Sequence, residues 1–455
     1  MAVSPLQMET LVNSACRTLV VGLGETGLSV ARYLMRAGAQ VAIVDSRRKP
    51  PGLARLREEL PADVALFLGG FRDEAFARAE RIVVSPGVSP TEPAIAEAAA
   101  RGVEVIGDIE LFARAARAPV LAVTGSNGKS TVATLAGLMA ARAGMDVRVG
   151  GNLGTPALDL IRETEPDLYV LELSSFQLET THSLQPRVAT VLNISPDHMD
   201  RYPDLAAYMQ AKQRIYRGAA IQVVNADDAI AAGLAEPGRP QIRFSAGCAG
   251  DGDYGICTHE GGRWLARGGE PLLPVAAVRM AGRHNLINAL AAMALGEGAG
   301  LPEEVMLQSI REFRGLPHRM QWVAESGGIR WYNDSKGTNV GATLAAIAGM
   351  EGEIVLIAGG DGKGADFTPL REAARDKVRS AVLIGRDAPQ LAAVLGEVIP
   401  VEFATGMSDA VKRARALARA GDCVLLSPAC ASLDMYSGYQ ERGEVYMKAV
   451  RRLVR

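Results

Sequence analysis

Two glycine-rich turns carry the densest chemistry in this 455-residue chain. The first is Gly22-Leu23-Gly24-Glu25-Thr26-Gly27, after an apolar run and ahead of an amphipathic one. Glycines there permit a tight turn and bring a phosphate close to backbone N–H groups at a helix start. Asp45 ends the next apolar run, at about the spacing where an acid binds a ribose hydroxyl in dinucleotide enzymes. Alone, this turn points to NAD; the bland alternative is a strand-to-helix turn that binds nothing. The second turn lies in Val120-Leu-Ala-Val-Thr-Gly-Ser-Asn-Gly-Lys-Ser-Thr131. Its loop Gly125, Ser126, Asn127 and Gly128 would wrap backbone amides around β- and γ-phosphates. Lys129 adds a point charge, the Ser130 hydroxyl suits Mg²⁺, and Thr131 continues into the helix. Two residues separate its glycines, where the usual Walker pattern has four.

Both turns need a strand behind them and a helix ahead. Thr18–Gly22, Gln40–Asp45, Ala65–Leu68, Arg81–Ser85 and Val103–Ile106 read as strands, with helices at Leu28–Ala37 and Pro93–Arg101. That is βαβ logic and a parallel sheet. After an Ala118–Pro119 linker, a second α/β unit has strands Val120–Val123, Leu168–Glu172, Val188–Leu192 and Ile221–Val224. From about Gly233 to Gly269 the texture changes. Tyr254–Thr258 and Arg263–Ala266 predict antiparallel hairpins inserted in the unit, followed by helices Asn285–Ala299 and Pro302–Phe313. Gly315-Leu316-Pro317 marks a second boundary. Beyond it a hairpin, Met320–Trp331, precedes strands Ile354–Ala358, Ala381–Ile384 and Cys423–Ser427. The expected fold class is α/β, in three units: 1–117, 118–316 and 317–455. The length agrees, at roughly 150 residues per domain.

Composition excludes several classes. The chain is 48% hydrophobic and 22% charged, so a core is easily supplied, and disorder, collagen-like repeats and disulfide miniproteins are ruled out. Basic and acidic residues nearly cancel, 49 against 51, which argues against a nucleic-acid surface. Five Cys, whose closest pair is Cys423 and Cys430, lack metal-ligand spacing and read as reduced thiols. No apolar run reaches the ~18–20 residues of a membrane span. Met1–Arg17 lacks the pattern of a secretory signal. A soluble, cytoplasmic monomer is expected.

Two nucleotide-type loops on separate units fit no ordinary dehydrogenase or kinase. The chain resembles the Mur ligase family, whose phosphate loop has the short form seen at Gly125–Thr131. Further matches follow in order: Gly151-Asn152, the Glu172–Gln177 run, Asn193–Arg201, Lys212, His284-Asn285, His318–Met320, Asn333–Asn339, Gly359–Phe367 and Leu426–Asp434. They span the chain from Gly22 to about Arg442. Within the family, the Ser-Ser-Phe-Gln run after Glu172 and the Asp-His-Met-Asp-Arg-Tyr run from Asp197 resemble the branch that joins D-glutamate to UDP-N-acetylmuramoyl-L-alanine. The Asp-Asn-Pro-Arg motif of the branch adding the third residue is absent. The resemblance overrides the NAD reading: in this family the first domain is Rossmann-like and holds UDP, the central domain is a P-loop ATPase, and the third, also Rossmann-like, binds the amino acid.

The resemblance implies an acyl-phosphate route driven by ATP and Mg²⁺, two ions being expected. Lys129 would sit on the ATP phosphates, Ser130 and Glu172 on one Mg²⁺, and His198, between Asp197 and Asp200, on the second. Lys212 would be carbamylated by CO₂, turning a cation into a metal-binding anion. Read blind, Glu172 is an ordinary strand-end acid, His198 a packed or solvated side chain, and Lys212 a solvated helix lysine. Asn285, His318, Arg319, Asp334 and Lys336 match positions around ATP. Glu25, Thr26, Asp45, Ser46, Arg47, Ser85, Pro86, Gly87 and Asn152 match positions around the UDP-sugar. Thr338, Lys363, Ser432, Leu433 and Tyr439 match the glutamate pocket, with Tyr where the pattern has Phe. Lys363 is the fixed cation a dicarboxylate needs.

Competing readings remain at this point. A nicotinamide oxidoreductase leaves the loop at Gly125 unexplained. A nucleotide-controlled binding module has no use for Glu172, His198 and Lys336. A folylpolyglutamate-type ligase lacks the first domain. The same chemistry with L-glutamate, or with another amino acid, is a further alternative. ATP closure needs a hinge around Gly315–His318 to bring Asp334 and Lys336 to the loop at Gly125.

Overall fold

The computed structural model describes residues 17–454 except 62, 63, 249 and 251. Cys16, and the expectation for Met1–Arg17 apart from Arg17 itself, lie outside the described residues. Three sheets follow one another along the chain. The first joins β1 (Arg17–Val21), β2 (Gln40–Asp45), β3 (Ala65–Leu68), β4 (Arg81–Val84) and β5 (Glu104–Gly107), all parallel, in the order β3-β2-β1-β4-β5. The order reverses between β1 and β4, the place where open α/β sheets leave a crevice at their carboxyl ends. The glycine turn at Gly22 opens there. A Cβ on Gly27 would lie 1.9 Å from Gly22 O, so only glycine lets this helix start press against the turn.

The second sheet has nine strands: β6 (Val120–Thr124), β7 (Val147–Gly151), β8 (Leu168–Glu172), β9 (Val188–Val191), β10 (Ile221–Asn225), β11 (Gln241–Phe244), β12 (Tyr254–His259), β13 (Gly262–Arg267) and β14 (Glu270–Pro274). Their order is β14-β13-β12-β11-β10-β9-β6-β8-β7. β6 is buried along its whole length between β8 and β9 and feeds the helix Lys129–Arg142. The antiparallel hairpins expected from Tyr254 are present, β12 with β13 and β13 with β14, and they extend the central sheet at its edge through a parallel pair of β12 with β11.

The third sheet runs β15-β16-β20-β17-β18-β19, from β15 (Gln321–Ser326), β16 (Ile329–Asn333), β17 (Ile354–Gly359), β18 (Val378–Ile384), β19 (Val401–Phe403) and β20 (Cys423–Leu426). The β15–β16 hairpin forms one edge, and every other pairing is parallel. The helix Val340–Gly349 faces the central unit and the helix Tyr439–Leu453 lies near the β15–β16 hairpin.

Burial divides the molecule unequally. One apolar cluster runs from Val20 and Leu34 of the first unit through Ile109 and Phe112 to Tyr169 and Tyr216 of the second. Phe112 meets Tyr169 edge-on, with ring centroids 5.0 Å apart. The buried Glu110 carboxylate accepts from His182 N–H, Ser183 N–H and Ser183 Oγ. The third unit keeps its own clusters on the two faces of its sheet. Among the described residues no helix is long and apolar enough to cross a membrane.

Candidate active site

The central loop is built from both sides. Gly128 sits at φ +85°, a left-handed conformation, where a Cβ would lie 2.5 Å from Asn288 Oδ1. Asn127 N–H donates to Asn193 Oδ1 at 2.8 Å, and Asn193 Nδ2 returns a bond to Asn127 O. Ser126 Oγ bonds Ser195 O and receives Ser195 N–H, both at 2.9 Å. The loop ahead of the helix is therefore held open by the Asn193–Ser195 segment, with the amides at the helix start free for an anion.

Lys129 Nζ donates to Gly125 O at 2.7 Å and Ser126 O at 2.8 Å. Burial lowers its pKa, while Glu172 and Asp197 oppose that shift. Glu172, at the end of β8, accepts from Asn152 Nδ2 at 2.7 Å on Oε1, and its buried Oε2 has no partner. Burial alone would raise its pKa; the Lys129 charge, the nearby Ser130 hydroxyl and the Asn152 hydrogen bond outweigh it and hold the carboxyl below the usual range. Ser130 Oγ receives Arg319 Nη2 at 2.8 Å, a contact from the third unit.

Lys212 is buried, not solvated. Its Nζ meets Gly125 O at 2.9 Å and Thr124 Oγ1 at 3.3 Å, over the Tyr208 ring. Burial first, and then the Lys129 charge, push its pKa well below that of an ordinary lysine. His198 sits at φ +58°, edge-on to Phe176 at 4.8 Å, and burial lowers its pKa against the opposing charge of Asp197, which favours the neutral imidazole.

Four clefts surround these groups. A cleft of about 540 Å³ lies at the switch point of the first sheet. Glu25, Thr26, Asp45, Ser46, Arg47, Ser85, Pro86, Gly87 and Asn152 all line it. Asp45 cannot offer a free carboxylate to a ribose: it is 2% exposed, and it accepts from Leu23 N–H at 2.7 Å and from Arg47 N–H and guanidinium. Burial opposes its charge, and those bonds more than restore it. Its work is to fix the glycine turn and Arg47.

A chamber of about 290 Å³ holds Lys129, Glu172, His198 and Lys212. Asn152 lines both it and the first cleft. A third cleft, of about 340 Å³, takes in Asn127, Gly128, Thr131, Asn285, Arg319, Asp334 and Lys336. There Asn285 Oδ1 receives Asn288 Nδ2, and Asp334 Oδ2 receives Ser427 Oγ at 2.9 Å. Burial pushes Asp334 up to about 7 and Lys336 down to about 8. The fourth, about 300 Å³, lies between Pro196–Met199 and the third unit, with Thr338 and Lys363 on its wall.

Four expected residues of the third unit lie elsewhere. His318 is buried, its Nδ1 2.9 Å from Asn333 Nδ2 and its ring against Gly443, where a Cβ would lie 2.2 Å from it. It anchors the turn that carries Arg319. Tyr439 stacks under Lys336, 4.0 Å from ammonium to ring centre, and meets His318 edge-on. Ser432 is buried and Leu433 is 73% exposed. None of the four lines the clefts above. Three residues gain a place that their types alone did not announce. Asp197 and Asn339 meet at 2.9 Å, and Arg201 donates to Pro86 O and Val88 O of the first unit. All three stand in the runs 193–201 and 333–339 that carry the resemblance, which was the available signal.

The donors fit a nucleotide phosphate with Mg²⁺. The Gly128 cradle admits no Cβ, and the partnerless Glu172 Oε2 is a hard oxygen beside Ser130. Among the described residues no group of three His, Cys, Asp or Glu could hold a metal by itself. An ion here would complete its shell with phosphate oxygens and water, as Mg²⁺ commonly does.

Comparison with known proteins agrees with this geometry. Residues 16–107 match the Mur ligase MurD-like N-terminal domain, 123–296 the Mur ligase middle domain and 318–430 the Mur ligase glutamate ligase domain. The chain is 55% identical over 452 residues to the UDP-N-acetylmuramoylalanine--D-glutamate ligase of Nitrosococcus oceani, covering 99% of each chain. It is 54% identical to the enzyme of that name from Methylococcus capsulatus, covering 96% of this chain and 95% of the relative. In fold it is similar to the crystal structure of UDP-N-acetylmuramate-alanine ligase MurC from Thermotoga maritima, with a TM-score of 0.59 and 18% identity over 96% of this chain and 100% of that one. With three family domains in order and relatives this similar along its length, the chain belongs to the Mur ligase family.

Proposed function

We infer that this chain is an ATP-dependent ligase that adds D-glutamate to UDP-N-acetylmuramoyl-L-alanine, releasing ADP and phosphate in the cytoplasmic stage of peptidoglycan synthesis. One observation carries the reading: the switch-point cleft and the loop cleft open on one chamber, sharing Asn152 on one side and Asn127, Gly128, Arg319 and Lys336 on the other. A UDP-sugar with its carboxylate extended, and a nucleotide with its terminal phosphate extended, would meet at Lys129 and Glu172. The relatives' names supply the identity of the substrates. We place the domains at 1–117, 118–316 and 317–455, and the enzyme in the cytoplasm as a monomer.

The substrate carboxylate oxygen attacks the γ-phosphorus, the bond to ADP breaks, and an acyl phosphate forms. The amine nitrogen of glutamate then attacks the acyl carbon, phosphate leaves, and the amine loses a proton. No enzyme nucleophile is needed, so the chain's part is to screen anions and position them. Lys129 and Lys336 neutralise phosphate charge, Arg319 brings a third cation from the closing unit, and Asn152 orients Glu172. Mg²⁺, held by Ser130 and Glu172, would supply further charge neutralisation. His198 with a carbamylated Lys212 would hold a second ion. The supporting feature for Lys212 is a buried amine whose neutral form, the one that attacks CO₂, is favoured by its surroundings. Thr338 and Lys363 would receive the glutamate carboxylates, and Ser432, Leu433 and Tyr439 remain assigned to that amino acid by resemblance alone.

The deciding experiment is phosphate release from ATP and Mg²⁺ with UDP-N-acetylmuramoyl-L-alanine, comparing D-glutamate, L-glutamate and no amino acid. Release dependent on D-glutamate is expected. Release with L-glutamate alone overturns the stereochemistry, and none from folded, ATP-binding protein overturns the ligase. For Lys212, intact mass of active enzyme in bicarbonate should show an added CO₂ lost in the Lys212→Ala variant, whose activity short carboxylates restore. An unmodified mass in active enzyme removes the carbamate.

A further inference from the structure

The catalytic chamber and the cleft of about 300 Å³ share a wall made by Asp197, His198, Thr338, Asn339 and Lys363. Asp197 stands at its centre. Its Oδ1 receives Lys363 Nζ at 3.1 Å and His198 N–H at 2.9 Å, and its Oδ2 receives Asn339 Nδ2 at 2.9 Å. Two of these partners come from the third unit. The chamber is lined by five basic side chains, Lys129, Lys212, Arg319, Lys336 and Lys363, against two carboxylates, Glu172 and Asp197. Among the described residues, Lys363 is the one of the five that is ion-paired to a carboxylate. The transfer chemistry gives Asp197 no part.

We propose that Asp197 stands in for the carboxylate of the incoming amino acid: it holds Lys363 across the seam, and the amino acid, entering by the 300 Å³ cleft, takes Lys363 over from it. This rests on the ligase reading. The Lys363 backbone is held at φ +53°, with its N–H on Asp361 Oδ1 and the Gly362 N–H on Asp387 Oδ2, while the position beside it at Gly364 has open space, so the flexible four-carbon side chain can re-aim from a fixed base. Asp197 keeps the Asn339 and His198 N–H bonds when Lys363 leaves, and Lys363 gains the carboxylate of the amino acid, so both groups stay hydrogen-bonded through the exchange. Amino-acid binding thus becomes a competition between two carboxylates for one cation, in a cleft also lined by the apolar Val340, Leu344, Ala365 and Pro369 and by the further carboxylate of Asp366.

The test is calorimetric titration of D-glutamate into full-length protein saturated with a non-hydrolysable ATP analogue and UDP-N-acetylmuramoyl-L-alanine. Asp197→Asn should bind D-glutamate several-fold more tightly, because Lys363 has lost its competitor. Lys363→Met should bind far more weakly, and the double variant should behave as Lys363→Met does, with the tightening gone. A structural role for Asp197 would weaken binding instead. Unchanged or weaker binding by Asp197→Asn, or tightening that persists without Lys363, overturns the proposal. Should Asp197→Asn not fold, Leu344→Trp decides it: a filled cleft should raise KM for D-glutamate several-fold and leave KM for ATP and the UDP-sugar alone, and an unaltered D-glutamate KM overturns the entry route. Wild-type enzyme showing D-glutamate-dependent phosphate release without the tightening loses this proposal alone. Wild-type enzyme showing no release loses the ligase reading.

Discussion

Asp334 is buried and Lys129 half-buried, and burial acts on their charges in opposite ways. Lys129 keeps two loop carbonyls within 2.8 Å, so its ammonium is already aimed where phosphate oxygens would lie. Lys129→Ala should fold normally by circular dichroism and lose activity by roughly 10²–10³-fold, the usual loss for one preorganised charge donor. Asp334 makes a prediction about pH. Its carboxyl titrates near 7 in the folded chain, because burial outweighs the bonds from Ser427 and Met320 N–H, and near 4 when unfolded. A carboxyl raised in the folded state favours folding while protonated. That contribution is complete below about 4 and is lost as pH rises through about 7. The Asp334→Asn variant escapes the loss, so its Tm relative to wild type should climb between pH 5 and pH 8. A change of roughly 2–4 °C per kcal/mol is the scale for a domain of about 150–250 residues. A difference in Tm that stays flat across this range would show that Asp334 ionises without penalty.

At the scale of elements, the segment around Arg201 joins two functions. Its guanidinium reaches Pro86 O at 3.3 Å and Val88 O at 3.2 Å, pairs with Glu179 at 2.9 Å, and lies over the Phe176 ring, which also packs on His198. The loop after β4, on the wall of the UDP-sugar cleft, is thereby tied to the central unit. Charge-assisted hydrogen bonds are each worth about 1.5–3 kcal/mol, and a tenfold change takes about 1.4 kcal/mol. Arg201→Met should therefore raise KM for the UDP-sugar roughly tenfold or more while KM for ATP holds; equal rises in both would make Arg201 a general stabiliser. Local pattern announced much of this. The strands Gln40–Asp45, Ala65–Leu68 and Leu168–Glu172 read from the sequence with the bounds they have in the fold, because each is a short apolar or β-branched run between turn residues. β7 was not legible: its Val-Arg-Val-Gly-Gly breaks the apolar run, and only in the fold does Arg148 satisfy itself on Leu160 O and Thr164 O. β11 and β19 are short and polar-edged, and take their order from neighbouring strands. The Asp197 wall was hidden for a different reason: Asn339 and Lys363 are 142 and 166 residues away along the chain, and no local spacing reveals such a meeting. Lys212 illustrates the same limit, since a lysine on a mixed-polarity helix reads as solvated until the fold covers it.

Across the whole molecule, the two seams differ in kind. The first and central units share one apolar cluster, with Phe112 packed on Tyr169 and Glu110 saturated by the His182–Ser183 backbone. The third unit meets the central one chiefly through polar pairs: Arg319 to Ser130, Lys363 to Asp197, and the reciprocal Asn127–Asn339 amides at 3.3 Å. Apolar seams do not open without unfolding, whereas polar ones exchange their partners for water and ligand at little cost. Closure over ATP is thus expected to move the third unit against a rigid pair, about the Gly315–His318 segment, whose two end residues adopt left-handed backbone. Small-angle scattering separates the two seams. Arg319→Ala combined with Asn339→Ser, which removes the amide pair with Asn127 but leaves a capping hydroxyl for the helix at Val340, should enlarge the radius of gyration without moving Tm appreciably. Phe112→Ala should do the reverse, losing about 3–5 kcal/mol of stability, the usual cost of deleting a buried aromatic ring, with the radius unchanged. If the polar pair of substitutions left the radius untouched while ATP analogue and UDP-sugar still failed to compress it, the third unit would be fixed in place, and the loop at Gly125 would have to admit ATP without any opening of the molecule.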